Sequence, residues 1–196
     1  MSLARFLAAA VLAVGLPGLA AAQDKGRGQA LASGRCSTCH GEDGRSRIPD
    51  IPSLAAQQPG YVTIQLILMR EGIRQVPAMQ PFVENMPDQD IEDLAAWFSS
   101  LPPSPAEDRS PRDAALAARG EALLGPRHCT TCHLPSLAGR EQIPRLTGQR
   151  EEFLARTLTE YRDGQRNGAD PQMNGAVFGL SDADIAGLAH YLAHRE

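Results

Sequence analysis

Cys36-Ser37-Thr38-Cys39-His40 and Cys129-Thr130-Thr131-Cys132-His133 contain all four cysteines of this 196-residue chain. Both read C-x-x-C-H. Two thiols three positions apart lie on one side of a helical turn. There they can add to the two vinyl groups of one porphyrin, and the adjacent histidine can offer a ring nitrogen to its metal. C-x-x-C-H is the attachment pattern of c-type haem. Two copies predict two covalently bound haem c groups. Cys36 and Cys39 would form the thioether pair of one and Cys129 and Cys132 that of the other, with His40 and His133 on the irons. Zinc wants four ligands in one place, but the motifs lie 93 residues apart, and immediate Cys-His neighbours chelate one ion poorly. A thioredoxin-like pair belongs in a βαβ setting, and no stretch alternates like a strand. Structural disulfides fit an exported chain, but not this spacing.

The motifs sit inside a longer repeat. Asp50–Gln57 (DIPSLAAQ) answers Gln142–Gln149 (QIPRLTGQ), Tyr61 answers Phe153, and Arg70–Arg74 (REGIR) answers Arg162–Arg166 (RDGQR). Pro87–Leu94 (PDQDIEDL) answers Ser181–Leu188 (SDADIAGL). The offset stays between 92 and 94, so two related domains are expected. Pro102 to Pro111 holds four prolines and mixed charge, the composition of an extended linker. The reading is domain one at 23–101, a Pro-rich linker at 102–112 and domain two at 113–196.

Residues 1–22 (MSLARFLAAAVLAVGLPGLAAA) carry a positive Arg5, an apolar run and a closing Ala-Ala-Ala. That is a cleaved secretory signal peptide. Its apolar run falls short of the roughly 20 residues that span a bilayer. Cleavage near Ala22 leaves 18 Lys and Arg against 23 Asp and Glu, at work in the periplasm. The whole chain carries a net charge of −4, which argues against nucleic acid. A mean hydropathy of −0.27 excludes a polytopic membrane protein.

The fold class expected is all-α, each domain a small helical bundle around one haem. Ile91, Leu94, Ala95 and Phe98 follow i, i+3, i+4, i+7, as do Ile185, Leu188, Ala189 and Leu192. Ser181 and Asp184 read as a capping box, and Pro87 suits a first helical turn. Further helices are expected at 24–34, 59–71 with Gly72 as the stop, and 112–124. Only 5% of residues are aromatic, and domains of this size bury marginal cores. A covalently held macrocycle would complete them, so each domain is expected to be largely unfolded without haem.

The repeat sorts the methionines. Met79 and Met173 lie 39 and 40 residues after their histidines, each seven residues before the Met86/Leu180 position. They are the candidate sixth ligands, placed in Pro- and Asn-containing loops. Met69 matches Tyr161 and Met86 matches Leu180, which marks both as core. Packing is the alternative for Met79 and Met173, since methionine fills gaps well. His128, His190 and His194 have no histidine partner in the other repeat and read as surface or packing residues. A His/Met pair saturates iron and raises its potential, which suits electron transfer.

With its signal peptide, its CSTCHGEDG and CTTCH, its IPSLAAQ and IPRLTGQ, and its MPDQDIEDLAAWF and LSDADIAGLAHYL, the chain resembles the dihaem cytochrome c4 family. That family has two tandem class I cytochrome c domains. The resemblance implies that the carbonyls of Pro52 and Pro144 accept a hydrogen bond from the other ring nitrogen of each histidine, orienting it. It implies that Gly28 and Gly120 lie where the first helix crosses the last, against Trp97 and Tyr191, and that the haems meet at the domain interface. The chain departs from the pattern at Leu134-Pro135, where the first repeat has Gly41-Glu42, and at Met86-Pro87 in place of Leu-Ser. Arg74 and Arg166 stand between propionate contacts and solvated surface.

The functional expectation is a periplasmic dihaem electron carrier. Its donor would be a quinol-oxidising complex or a dehydrogenase, its acceptor a terminal oxidase or reductase, and peripheral membrane association remains open. Lys25 is the only lysine, so no lysine-ring docking face is expected. One alternative is the cytochrome subunit of a dehydrogenase complex. The other, a dihaem peroxidase or thiosulfate-oxidising enzyme, would need an iron that opens or a ligand other than methionine.

Overall fold

The computed structural model describes residues 22–103, 105, 108–166 and 171–195; the signal-peptide reading over residues 1–21 and part of the linker lie outside them. Among the described residues ten α-helices form, and the sole β feature is an isolated bridge between Arg140 and Ile143. The first repeat holds α1 (Lys25–Arg35), α2 (Ser37–His40), α3 (Pro59–Arg70), α4 (Gln80–Val83) and α5 (Asp88–Ser100). The second holds α6 (Ala114–Leu124), α7 (Cys129–His133), α8 (Glu151–Arg162), α9 (Pro171–Val177) and α10 (Asp182–His194). The two repeats therefore fold as all-α units with the same order of five helices.

Each domain is built on a crossing of its first and last helices. Asp24 and Asp113 start α1 and α6 by accepting backbone N–H groups of the first turn. The Ser181–Asp184 capping box starts α10. Pro87, expected in the first turn, is instead the N-cap of α5. The apolar stripes are buried throughout: Ile91, Leu94, Ala95 and Phe98 are at most 3% exposed, and Ile185, Leu188, Ala189 and Leu192 at most 4%. At each crossing a glycine lets backbones touch. A Cβ on Gly28 would lie 2.1 Å from the Asp93 carbonyl oxygen, and one on Gly120 equally close to that of Gly187. Trp97 and Tyr191 flank these contacts, in the positions the resemblance implied. The first crossing is also stitched by charge. The fully buried Asp93 carboxylate accepts from the Asp24 N–H at 2.8 Å and the Gln89 amide at 2.9 Å, and pairs with Arg27.

The domains meet through a pseudo-symmetric exchange of hydrogen bonds. Gln57 Oε1 accepts from the Arg145 N–H at 2.7 Å while its Nε2 donates to the Arg145 carbonyl at 3.1 Å. Its repeat counterpart Gln149 binds Ser53 the same way, at 2.7 and 2.9 Å. Gln58 donates to the Ala138 carbonyl and its counterpart Arg150 to the Ser46 carbonyl. The segment after the linker is fixed by His190, buried on α10. Its Nε2 accepts the Asp113 N–H at 2.8 Å and its Nδ1 faces the Glu151 carboxylate at 3.1 Å.

Candidate functional site

The two C-x-x-C-H motifs form single helical turns, α2 with Cys36 as its N-cap and α7. After each histidine the chain turns with positive φ, at Gly41 (φ 82°, ψ 149°) and at Leu134 (φ 68°, ψ 161°). The departure at Leu134 thus leaves the turn intact and places a side chain in a region that favours glycine. The turn feeds the loop that carries the proline. His40 Nδ1 lies 2.9 Å from the Pro52 carbonyl oxygen, and His133 Nδ1 lies 2.9 Å from that of Pro144. A carbonyl only accepts, so Nδ1 carries the proton in each ring and Nε2 keeps its lone pair. Both histidines are buried, and burial holds each below the ordinary imidazole pKa, against the opposing effect of the proline carbonyl. Neutral imidazole is the form that binds a metal.

The four thiols are free, and burial raises those of Cys36 and Cys129. All four line one cavity of about 1620 Å³ that runs through both domains and is also walled by His40, Met79, His133 and Met173. That exceeds the roughly 300–1,000 Å³ of a single ligand pocket. The wall is largely apolar, but Arg166 Nη2 is buried in it with no hydrogen bond among the described residues. Paired thiols, imidazoles with free Nε2, thioethers and a guanidinium with one unbonded nitrogen suit two flat apolar macrocycles that end in carboxylates.

The structure corrects the local setting of one methionine. Met173 lies inside α9, not in a loop, because Pro171 starts a helix that Val177 anchors in the core. Met79 is the N-cap of α4 and packs against the first domain's core cluster, which contains Val83. Met69 and Met86 are buried in the first domain's core, as the repeat indicated, although both also reach the cavity wall. His128 is exposed, in left-handed conformation ahead of α7. His190 and His194 approach Glu151 closely. All four of their ring nitrogens face protein partners, including the Ser110 carbonyl at 2.8 Å from His194 Nε2.

Sequence reasoning left Arg74 and Arg166 open between propionate contacts and solvated surface. Both line the cavity, and each lies close enough to feel the other's charge. Arg166 lies over the Tyr161 ring, 5.0 Å from its centroid, and bonds Glu160 at 3.0 Å. Burial lowers the Arg74 pKa, and the neighbouring Arg166 lowers it further. Two basic residues at matching repeat positions were the available signal.

Residues 117–196 match the family described as Cytochrome c, and residues 23–98 match Cytochrome C oxidase, cbb3-type, subunit III. The chain is 38% identical to the cytochrome c4 of Pseudomonas aeruginosa, covering 96% of this chain and 97% of that one. It is 30% identical to a thiosulfate dehydrogenase electron acceptor of Stutzerimonas stutzeri, over 81% of this chain and 78% of that one. Among solved structures, reduced recombinant cytochrome c4 from Pseudomonas stutzeri superposes with a TM-score of 0.81 at 34% identity, covering 89% of this chain and all of that one. No described helix is long and apolar enough to cross a membrane.

Proposed function

The chain belongs to the dihaem cytochrome c4 family, and from that premise we propose that it is a periplasmic carrier of single electrons between membrane-linked redox enzymes. It carries two covalent haem c groups and is an electron-transfer protein, not an enzyme. Bound haem c supplies a one-electron iron couple. Cys36 and Cys39 hold one group and Cys129 and Cys132 the other. His40 with Met79, and His133 with Met173, would hold the two irons. The domains run over 23–101 and 113–196, joined by the linker at 102–112.

The observation that carries this reading is the wall of one cavity in which each proline-oriented imidazole shares a domain with a methionine. The Pro52 and Pro144 carbonyls fix each ring and strengthen Nε2 as a donor. The thioethers of Met79 and Met173 would complete the hold on each iron and favour its reduced state. The apolar walls exclude water, so gain or loss of an electron requires little rearrangement. Export by the signal peptide puts the carrier in the periplasm, with peripheral membrane association open and no role for nucleic acid. A quinol-oxidising complex or dehydrogenase is the donor, and a terminal oxidase or reductase the acceptor. The likeness to a thiosulfate dehydrogenase electron acceptor favours one second reading, a dedicated acceptor for such a dehydrogenase.

An optical redox titration with carbon monoxide or cyanide tests the proposal. Two haems per chain that titrate as one-electron centres and resist both ligands are expected. Rapid ligand binding at either iron would refute His/Met saturation.

A further inference from the structure

The two arginines at the domain interface occupy equivalent backbone positions but have different electrostatic partners. In the first domain the Arg74 N–H donates to the Leu68 carbonyl at 2.9 Å; in the second the Arg166 N–H donates to the Glu160 carbonyl at 3.2 Å. Leu68 and Glu160 are repeat counterparts, and both side chains line the cavity. Arg74 Nη1 reaches a neutral amide, Gln65 Oε1, at 2.8 Å. Arg166 Nη1 reaches a carboxylate, Glu160 Oε2, at 3.0 Å, and its side chain is 3% exposed. At the equivalent position Gln65 is replaced by Thr157, whose Oγ1 is buried without a partner among the described residues.

Glu160 is not free to swing away. Its Oε1 is held by Arg156 Nη1 at 2.6 Å, one helical turn back on α8, and Arg156 in turn bonds the Asp50 carbonyl across the interface at 2.9 Å. The carboxylate is 26% exposed and fixed between two guanidinium groups at the cavity wall, where the first domain presents a methyl-terminated side chain. Charges near such a site interact through an effective dielectric of about 20, not 80. Oxidation adds a positive charge at iron, and local net charge is one of the terms that set its potential. Glu160 therefore favours the oxidised iron of its own half and offsets Arg166 and Arg156, of which only Arg166 has a charged counterpart, since Ile64 stands at the Arg156 position.

We propose that Glu160 is a tuning residue that lowers the reduction potential of the second-domain haem by offsetting the two arginines that flank it. This rests on the dihaem reading above. The test uses the haem-loaded full chain in potentiometric titrations. A Met79→His background displaces the first-domain step and so identifies each midpoint. Glu160→Gln keeps an acceptor for Arg166 and removes the charge; the second-domain midpoint should rise, and by more than the first-domain midpoint. Glu160→Asp should stay near wild type. Leu68→Glu, made independently, should lower the first-domain midpoint. Unmoved midpoints in Glu160→Gln, or an equal shift of both, would overturn the proposal. If Glu160→Gln fails to mature, an unmoved first-domain midpoint in Leu68→Glu overturns it instead. A wild-type protein with fewer than two haems would contradict the carrier reading instead.

Discussion

Gln57 and Gln149, 92 residues apart and equivalent in the repeat, each insert a side-chain amide into the other domain's proline loop, where it mimics a strand by bonding both the N–H and the C=O of one residue. Gln57 takes Arg145 and Gln149 takes Ser53, each one residue from the proline whose carbonyl orients a haem-motif histidine. The domain interface and the histidine supports are thus one structure.

Replacing Gln57 or Gln149 with leucine leaves buried backbone groups of the partner loop unpaired. Each unpaired group costs about 1–3 kcal/mol. Calorimetry of the holo-protein should show a lower melting temperature and, in the double variant, two separate transitions where the domains uncouple. A single transition at the wild-type temperature would show that the exchange contributes nothing.

Gly28→Ala and Gly120→Ala force a methyl group into a carbonyl oxygen that would lie 2.1 Å away. The helices must separate, with a loss of about 3 kcal/mol or more, at the upper end of overpacking effects. Gly34→Ala is the control: it lies on α1 with nothing within 4 Å. It should be neutral or stabilising by about 0.5–1 kcal/mol through helix propensity. Chemical denaturation of the three variants checks the ranking.

Leu134 holds a backbone conformation that its counterpart Gly41 adopts freely. Strain of this kind costs about 1–3 kcal/mol. Leu134→Gly should therefore stabilise the second domain, with part of the gain offset by the entropy of the unfolded glycine. Gly41→Ala should destabilise the first, where the added Cβ would meet the Arg45 carbonyl at 2.2 Å. Denaturant midpoints of the two variants should move in opposite directions.

Asp93 gives the first domain an acid-sensitive crossing. Burial raises its carboxyl pKa, but the Asp24 N–H, the Gln89 amide and Arg27 together hold it below the ordinary value. A pKa lowered by folding stabilises the native state above the unfolded value and is lost as pH falls through the folded one. The contribution is thus complete above about pH 4 and fades below it. Asp93→Asn should flatten the acid limb of the stability profile; an unchanged slope would remove Asp93 from the account.

Haem-free chain, made by replacing Cys36, Cys39, Cys129 and Cys132 with alanine, should lose most of its helical signal. The cavity of about 1620 Å³ is where the core of each domain would otherwise be. A cooperative melt with native helicity would refute this.

The paired motifs, the repeat and the apolar stripes on α5 and α10 were legible in the sequence because each depends on local spacing. C-x-x-C-H is a one-turn device, and a helix shows its buried face at i, i+3, i+4 and i+7 whatever it packs against. The glycines at the helix crossings came from resemblance, and backbone contact explains them. Tertiary structure alone decided that Met173 is helical, because Val177 needs a buried place to anchor α9. It alone showed that His190 anchors the start of the second domain, that Gln57 and Gln149 exchange across the interface, and that Glu160 neutralises Arg166 where Leu68 leaves Arg74 with a neutral partner. These pairings join residues up to 96 positions apart, and no local pattern encodes which surfaces meet once two domains close on each other.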